Sequence, residues 1–346
     1  MEIGPARPAR TCADTMTILS PQAALWGNER SLPALPACVH YAGRAKFIEK
    51  ALALQSERGP VFDISTDCED GAPVGAELAH AREMAALIAG AANRFDRVGA
   101  RVHDVHHPAA VEELAILVGE VGDRIAFLTC PKPESTADVQ CFLDRLAQET
   151  ARRGLGREIP VSVMIETHGA VRDAWDIAAL PGIVSLDFGT MDFVSAHRGA
   201  IAAAAMDSPG QFDHPLLRRA KCETAAAALA HAVVPTHGVT RSLDDAAIVF
   251  SDARRARTEF GFLRMWSIHP SQIEPILRAM QPEAAEIESA SAVLAAAQAA
   301  DWAPIRVGDA LHDRASYRYS WSVLRQARAA GAPLPPVAAA FFGDAR

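Results

Sequence analysis

The chain has 346 residues, half of them apolar and 22% charged, with 34 basic against 42 acidic side chains and a formal net charge of −8. That composition belongs to a folded globular protein and excludes a disordered chain. The acidic balance argues against a nucleic-acid surface, which needs clustered Lys and Arg. No run of about 18 apolar residues is present, so no membrane span is expected. The segment from Met1 to Leu25 lacks the apolar core of a secretory signal. Six scattered cysteines (Cys12, Cys38, Cys68, Cys130, Cys141, Cys222) form no C-x-x-C pair, which fits reduced thiols in a cytoplasmic enzyme and gives no zinc knuckle.

In chain order, residues 1–30 are Pro- and Ala-rich without periodicity and read as an irregular arm. From there to residue 280, short apolar runs alternate with helical patterns. The runs are Ala37–Tyr41, Pro60–Ser65, Val98–Val102, Ile125–Cys130, Val161–Ile165, Ile183–Phe188, Ala232–Pro235 and Leu263–Ile268. Each is short and bounded by Gly, Pro or polar residues, as buried parallel strands are. Between them, Val111, Leu114, Ala115 and Val118 share helical spacing, as do Leu243, Ala246, Ala247 and Phe250. Ser135 with Asp138, and Ser242 with Asp245, give S-x-x-D start signals for two helices. Eight β-then-α units in about 250 residues is the arithmetic of a (β/α)₈ TIM barrel. A doubly wound sheet would carry a Gly-rich turn after its first strand, and none is present. Residues 281–346 add a helical extension: a helix over Pro282–Ala300, a polar turn around Gly308–Asp313, and a helix through Arg328.

Polar residues close several of the expected strands: Glu69 and Asp70, Arg101, Lys132, Glu166, Asp192, His237 and His269. From Glu69 the steps are 32, 31, 34, 26, 45 and 32 residues. A barrel's βα unit is about 30 residues long, so these side chains should recur at the C-terminal mouth, where barrel enzymes keep their active sites. Glu166 and Asp192 would come from adjacent strands as two hard oxygen ligands suited to Mg²⁺, unless they merely cap helices. Arg101 offers a planar fork for a carboxylate or an enolate oxygen. Lys132 reads as a charge partner for a carboxylate, with Schiff-base chemistry as its rival. His103, Asp104, His106 and His107 are too tightly spaced to converge on one ion, although His103 alone could face the mouth. Buried thiols are the plainer reading of Cys68 and Cys130. Trp266 reads as core or rim wall, and His269 as a packing and hydrogen-bonding residue.

The segments Phe62-Asp63 through Glu69-Asp70-Gly71, Ala100-Arg101-Val102, Pro131-Lys132-Pro133-Glu134-Ser135, Met164-Ile165-Glu166-Thr167 and Phe188-Gly189-Thr190-Met191-Asp192-Phe193 resemble, in order, the motifs of citrate lyase β-subunit-like enzymes. These belong to the larger aldolase/citrate lyase family that also holds malyl-CoA lyases. Ser267-Ile268-His269-Pro270-Ser271-Gln272-Ile273 is similar to the IHPxQI ending of their barrel, and the likeness runs from about Arg30 to Arg328. The resemblance implies a Mg²⁺-dependent carbon–carbon lyase acting on β-hydroxyacyl-CoA thioesters. In it, Glu166 and Asp192 match the metal ligands, Arg101 matches the substrate arginine, and Glu69 and Asp70 match the acidic pair beneath the metal's water shell. Asp313-Arg314-Ala315-Ser316-Tyr317-Arg318 is similar to a malyl-CoA lyase segment whose aspartate acts as acid/base across a subunit boundary. That implies a homotrimer or a dimer of trimers.

Departures from the pattern fall at His103, where Asn is usual; at Arg264-Met265, for Gly-Lys; and at His237, for Asp. The CoA-binding Arg-Ser strand is blurred to Arg30-Ser31-Leu32-Pro33. The expected reaction breaks a Cα–Cβ bond to give an α-keto acid and an enolate, with Arg101 at the enolate oxygen and Asp313 returning a proton. The rivals are a CoA-independent aldolase acting on a free hydroxy or keto acid, and a non-catalytic subunit of a lyase complex.

Overall fold

Eight parallel strands close into a barrel in chain order in the computed structural model, which describes residues 19–343. They are β1 (Cys38–Tyr41), β2 (Asp63–Asp67), β3 (Val98–Arg101), β4 (Leu128–Cys130), β5 (Val161–Ile165), β6 (Ile183–Phe188), β7 (Val234–His237) and β8 (Arg264–Ser267). β8 pairs back onto β1, with Val39 opposite Trp266. All eight expected runs are strands. Their edges shift a little: β2 starts at Asp63 and not Pro60, and β7 runs on to His237.

The apolarity of these runs belongs to one face. Asp63 of β2 accepts a hydrogen bond from Arg264 of β8, and Trp266 Nε1 of β8 donates to Asp187 of β6 at 2.8 Å. Each pair skips an intervening strand, so the partners meet across the barrel interior. Alternation places Ser65, Asp67, Ser162 and Thr236 inward with them. Val39, Phe127 and Trp266 form a small apolar cluster of their own. The intervening residues, among them Ile64, Ala100, Val163, Leu186 and Met265, face the helices. There they build the main core with Ile48, Leu52, Met84, Leu117 and Ile276. Burial of this outer layer, at about 25 cal/mol per Å² of apolar surface, is what drives the fold.

The helix Thr136–Arg153 starts where expected. The Ser135 hydroxyl accepts from the Asp138 amide, and Gly154 ends the helix in the left-handed region. Two expected faces differ. In Ala110–Val121 the buried stripe is Leu114, Leu117, Val118 and Val121, and Val111 is exposed. The helix Ala246–Phe260 is capped by Asp245 in place of Ser242. It buries Val249, Ala253, Ala256 and Phe260, and leaves Leu243, Ala246 and Ala247 exposed. The reason is tertiary. Gln272, after β8, donates to the carbonyls of Thr240 and Ser242 at 2.8 Å each, which holds those residues as loop. Asp252 accepts from Thr240 at 2.6 Å and from Gln211 at 3.0 Å, tying the segments after β6 and β7 together.

The described residues divide into two compact units, one of residues 30–281 and a second of residues 19–29 with 282–343. In the second unit, helices Ala284–Ala299 and Arg314–Ala329 flank an antiparallel ribbon, Ile305–Val307 with Ala310–His312. Its core holds Leu25, Ile287, Leu294, Tyr317, Trp321 and Leu324. Residues 19–29, expected within an irregular arm, supply the helix Pro21–Leu25, and Gln22 accepts from Trp321 Nε1 at 2.9 Å. Among the described residues no helix is long and apolar enough to cross a membrane. Cys12 lies outside the described residues, and the other five cysteines are free.

Candidate active site

Five consecutive strands deliver charge to the C-terminal mouth. Glu69 and Asp70 follow β2, Arg101 ends β3, Lys132 follows β4, Glu166 follows β5, and Asp192 sits in the first turn of the helix Thr190–Ala196 after β6. Arg101 Nη1 lies 2.9 Å from Glu69 Oε2, and Nη2 lies 3.7 Å from Asp70 Oδ2. Lys132 Nζ lies 2.5 Å from Glu69 Oε1, 3.0 Å from Asp70 Oδ1 and 3.9 Å from Asp192 Oδ1. The Lys132 amide donates to Glu166 Oε1 at 2.9 Å. Six of the residues picked from strand-end spacing therefore form one connected cluster.

Sequence reasoning missed the residue that organises Arg101. Asp67 accepts from Arg101 Nε at 2.9 Å and Nη2 at 2.7 Å, from the Tyr41 hydroxyl at 2.8 Å, and from the amides of Glu69 and Gly71 at 3.0 and 2.8 Å. Register sets Asp67 beside Arg101 on the neighbouring strand. The signal was present: Asp63, Ser65 and Asp67 alternate as the inward face of β2. The consequence is a correction. The two-pronged edge of Arg101, expected to be free for substrate, is taken by Asp67, leaving Nη1 on the side of Glu69 and of the Met164 sulfur at 4.0 Å.

The electrostatics follow from burial and pairing. Burial pushes the Asp67 carboxyl upward, but hydrogen bonds and charge from Arg101 outweigh it and hold it below the usual range. Burial raises Glu69 against the pull of Arg101 and Lys132. Glu166 is fully buried; desolvation, followed by the charge of Asp192, pushes it up to about 8. Burial works against the ammonium of Lys132, yet the hydrogen bond and charge of Glu69 prevail and push its pKa upward. An amine so held is poorly placed to form a Schiff base. Lys132 also adopts φ +48° directly before Pro133. A left-handed residue costs about 1–3 kcal/mol and persists only where its surroundings impose it.

The mouth suits a divalent cation. Glu166 Oε2 is buried with no hydrogen-bond partner among the described residues. A Cβ on Gly189 would fall 2.2 Å from that oxygen, so glycine keeps the space beside it clear. No three His, Cys, Asp or Glu side chains are grouped as a ready-made metal site among the described residues. Two carboxylates alone would leave positions open for water and substrate, as Mg²⁺ prefers.

Other expected residues lie elsewhere. His103 turns to Glu113, which accepts from its amide at 3.1 Å and pairs with Nδ1 at 2.7 Å, and its ring stacks on His107 at 3.8 Å. His237 is sealed outside the strands, stacked on Phe212 at 5.2 Å; burial, then the charge of Lys221, lowers its pKa well below the ordinary value. It is not a mouth residue. His269 caps the short helix Pro270–Gln272. Trp266 is interior wall, and burial raises the Cys68 and Cys130 thiols out of the reactive range. Asp313, in the second unit, caps the helix Arg314–Ala329 by accepting from the Ala315 and Ser316 amides. Arg30 donates to the carbonyl of Ile183, the first residue of β6, and so lies at the end of the barrel opposite the mouth. A cleft of about 830 Å³ instead opens beside Asp70, lined by Tyr41, Arg44, Lys46 and Phe47.

Residues 63–270 match the HpcH/HpaI aldolase/citrate lyase family. A solved citrate lyase from Burkholderia xenovorans LB400 is 48% identical, with a TM-score of 0.85 over 94% of this chain and 100% of that one. A (3S)-malyl-CoA thioesterase from Cereibacter sphaeroides is 27% identical over 254 residues, covering 73% of this chain and 81% of the relative. The CitE protein of Mycobacterium tuberculosis, solved with magnesium, acetoacetate and coenzyme A, is 20% identical. It shares the fold, at a TM-score of 0.62 over 85% of this chain and 99% of that one.

Proposed function

Because this chain belongs to the HpcH/HpaI aldolase/citrate lyase family, we propose that it cleaves or forms a β-hydroxyacyl-CoA thioester, giving an acyl-CoA and an α-keto acid, with Mg²⁺ held by Glu166 and Asp192. The observation that carries this reading is the bare, buried oxygen of Glu166 in a mouth where Arg101 and Lys132 supply the positive charge. When bound, Mg²⁺ would supply a Lewis acid for the carboxylate and α-oxygen of the keto acid. The remaining work falls to the chain. Arg101, kept in place by Asp67 and Tyr41, offers Nη1 to the thioester oxygen as charge develops on it. Lys132 carries the counter-charge for a substrate carboxylate.

Arg44 and Lys46 place two positive charges in the cleft beside Phe47, a combination suited to the phosphates and base of coenzyme A. Asp313 acts as acid/base from the neighbouring subunit of a cytoplasmic homo-oligomer, a trimer or hexamer. Mixing inactive Asp313→Ala with inactive Glu166→Gln tests this, since random exchange gives about a quarter of sites both intact groups. No recovery after confirmed exchange would end the trans role.

The reading is tested by incubating the purified protein with malyl-CoA, citramalyl-CoA and citryl-CoA and following keto-acid release. Turnover should require Mg²⁺, vanish with EDTA and be lost in Glu166→Gln; inertness toward all three with Mg²⁺ present would overturn it. The likeness to a thioesterase favours a second reading, hydrolysis of the thioester. Free CoA thiol without keto acid would identify that outcome.

A further inference from the structure

The carboxylate cluster already contains a cation of its own. Lys132 touches four acids: its amide meets Glu166 Oε1 at 2.9 Å, and its ammonium lies 2.5 Å from Glu69, 3.0 Å from Asp70 and 3.9 Å from Asp192. Five carboxylates, with Asp67, meet two cations here. Arg101 pairs with Asp67 and Glu69, and Lys132 is the cation that reaches Asp192. Its left-handed backbone ahead of Pro133 shows that the surroundings impose this placement. The side chain remains about one-third exposed, which leaves the ammonium room to move.

We infer that Lys132 is a built-in competitor for the divalent cation, neutralising Glu69, Asp70 and Asp192 in the metal-free protein and thereby loosening metal binding at Glu166 and Asp192. The inference rests on the metal site proposed above. Its physical basis is Coulomb's law: a unit positive charge a few ångströms from a ligand oxygen opposes a second cation in the same field. A lysine that served only to bind substrate would leave metal affinity unchanged when removed. One that served only to order the acids would weaken metal binding on its removal. A competitor does the opposite of the latter.

The experiment is calorimetric titration of Mg²⁺ into the full-length protein without substrate. Lys132→Met should bind Mg²⁺ about tenfold more tightly than wild type, and Lys132→Arg, which keeps the charge, should stay within about threefold. Lys132→Met/Glu69→Gln, which removes one charge of each sign, should return towards wild-type affinity. If Lys132→Met fails to fold, Lys132→Gln takes its place. Equal or weaker binding by the neutral variant would overturn the inference. A wild type whose Mg²⁺ binding is absent, or is unchanged in Glu166→Gln, would instead overturn the metal site itself, whatever Lys132 does.

Discussion

The two ends of the barrel treat buried acids in opposite ways. At the N-terminal end, Asp63 is matched by Arg264, with Arg97 3.5 Å away, and both Asp63 and Arg264 are about 1% exposed. At the C-terminal end, five carboxylates face two cations, Arg101 and Lys132. One end is charge-matched and sealed. The other carries excess negative charge and stays open to ligands. The contrast assigns stability and chemistry to different residues of one barrel, as expected where the loops after the strands carry function.

The largest effect should come from the mouth. Glu166→Gln should lower kcat about a thousandfold, equivalent to about 4 kcal/mol in the barrier. In EDTA the same variant should melt at or above the wild-type temperature, because the amide removes a carboxyl that burial, and then the charge of Asp192, disfavours. Steady-state kinetics and calorimetry check both halves, and a large drop in melting temperature would blur the contrast by giving Glu166 a structural part. The mirror experiment is Arg264→Met. It leaves Asp63 only the more distant Arg97 and should cost about 3 kcal/mol in urea unfolding, with turnover per folded molecule kept. Adding Asp63→Asn should restore part of that loss.

Asp67→Asn sharpens the contrast within the mouth. An amide offers Arg101 one acceptor oxygen where the carboxylate offers two, so kcat per folded molecule should fall about thirtyfold, or about 2 kcal/mol. The smallest effect belongs to neither end. His40, on the outer face of β1, lies 2.8 Å from the Ser267 hydroxyl; burial, then the charge of His269, lowers its pKa from 6.5 to about 4. The unfolded chain therefore takes up this proton first. As pH falls from 6.5 to 4 the group's contribution to stability is lost, and His40→Gln should flatten that limb of the unfolding curve.

The ends also differ in how far the chain announces them. Glu69, Arg101, Lys132, Glu166 and Asp192 could be picked out because each closes or follows an apolar run, and runs recur at barrel spacing. His237 was picked by the same strand-end position and failed. The step to it is 45 residues, the chain between β6 and β7 carries extra helical turns, and the side chain falls on the outward parity of β7. Arg30, where the likeness to the CoA-binding strand is blurred, lies at the other end of the barrel.

By itself the sequence determined the eight strands, the Ser135 cap and the strand-end acids, because alternation, capping and strand length are set by neighbours a few residues apart. Only the tertiary structure decided which charges meet. Asp67 grips Arg101 from 34 residues away, Glu113 takes His103 out of the mouth, Gln272 delays a helix start by holding Thr240 and Ser242, and Lys132 gathers acids from three other strands. Those pairings depend on barrel closure, which fixes the stagger between strands and the height of each side chain in the mouth. Closure is a property of all eight strands together, and no local stretch of residues encodes it.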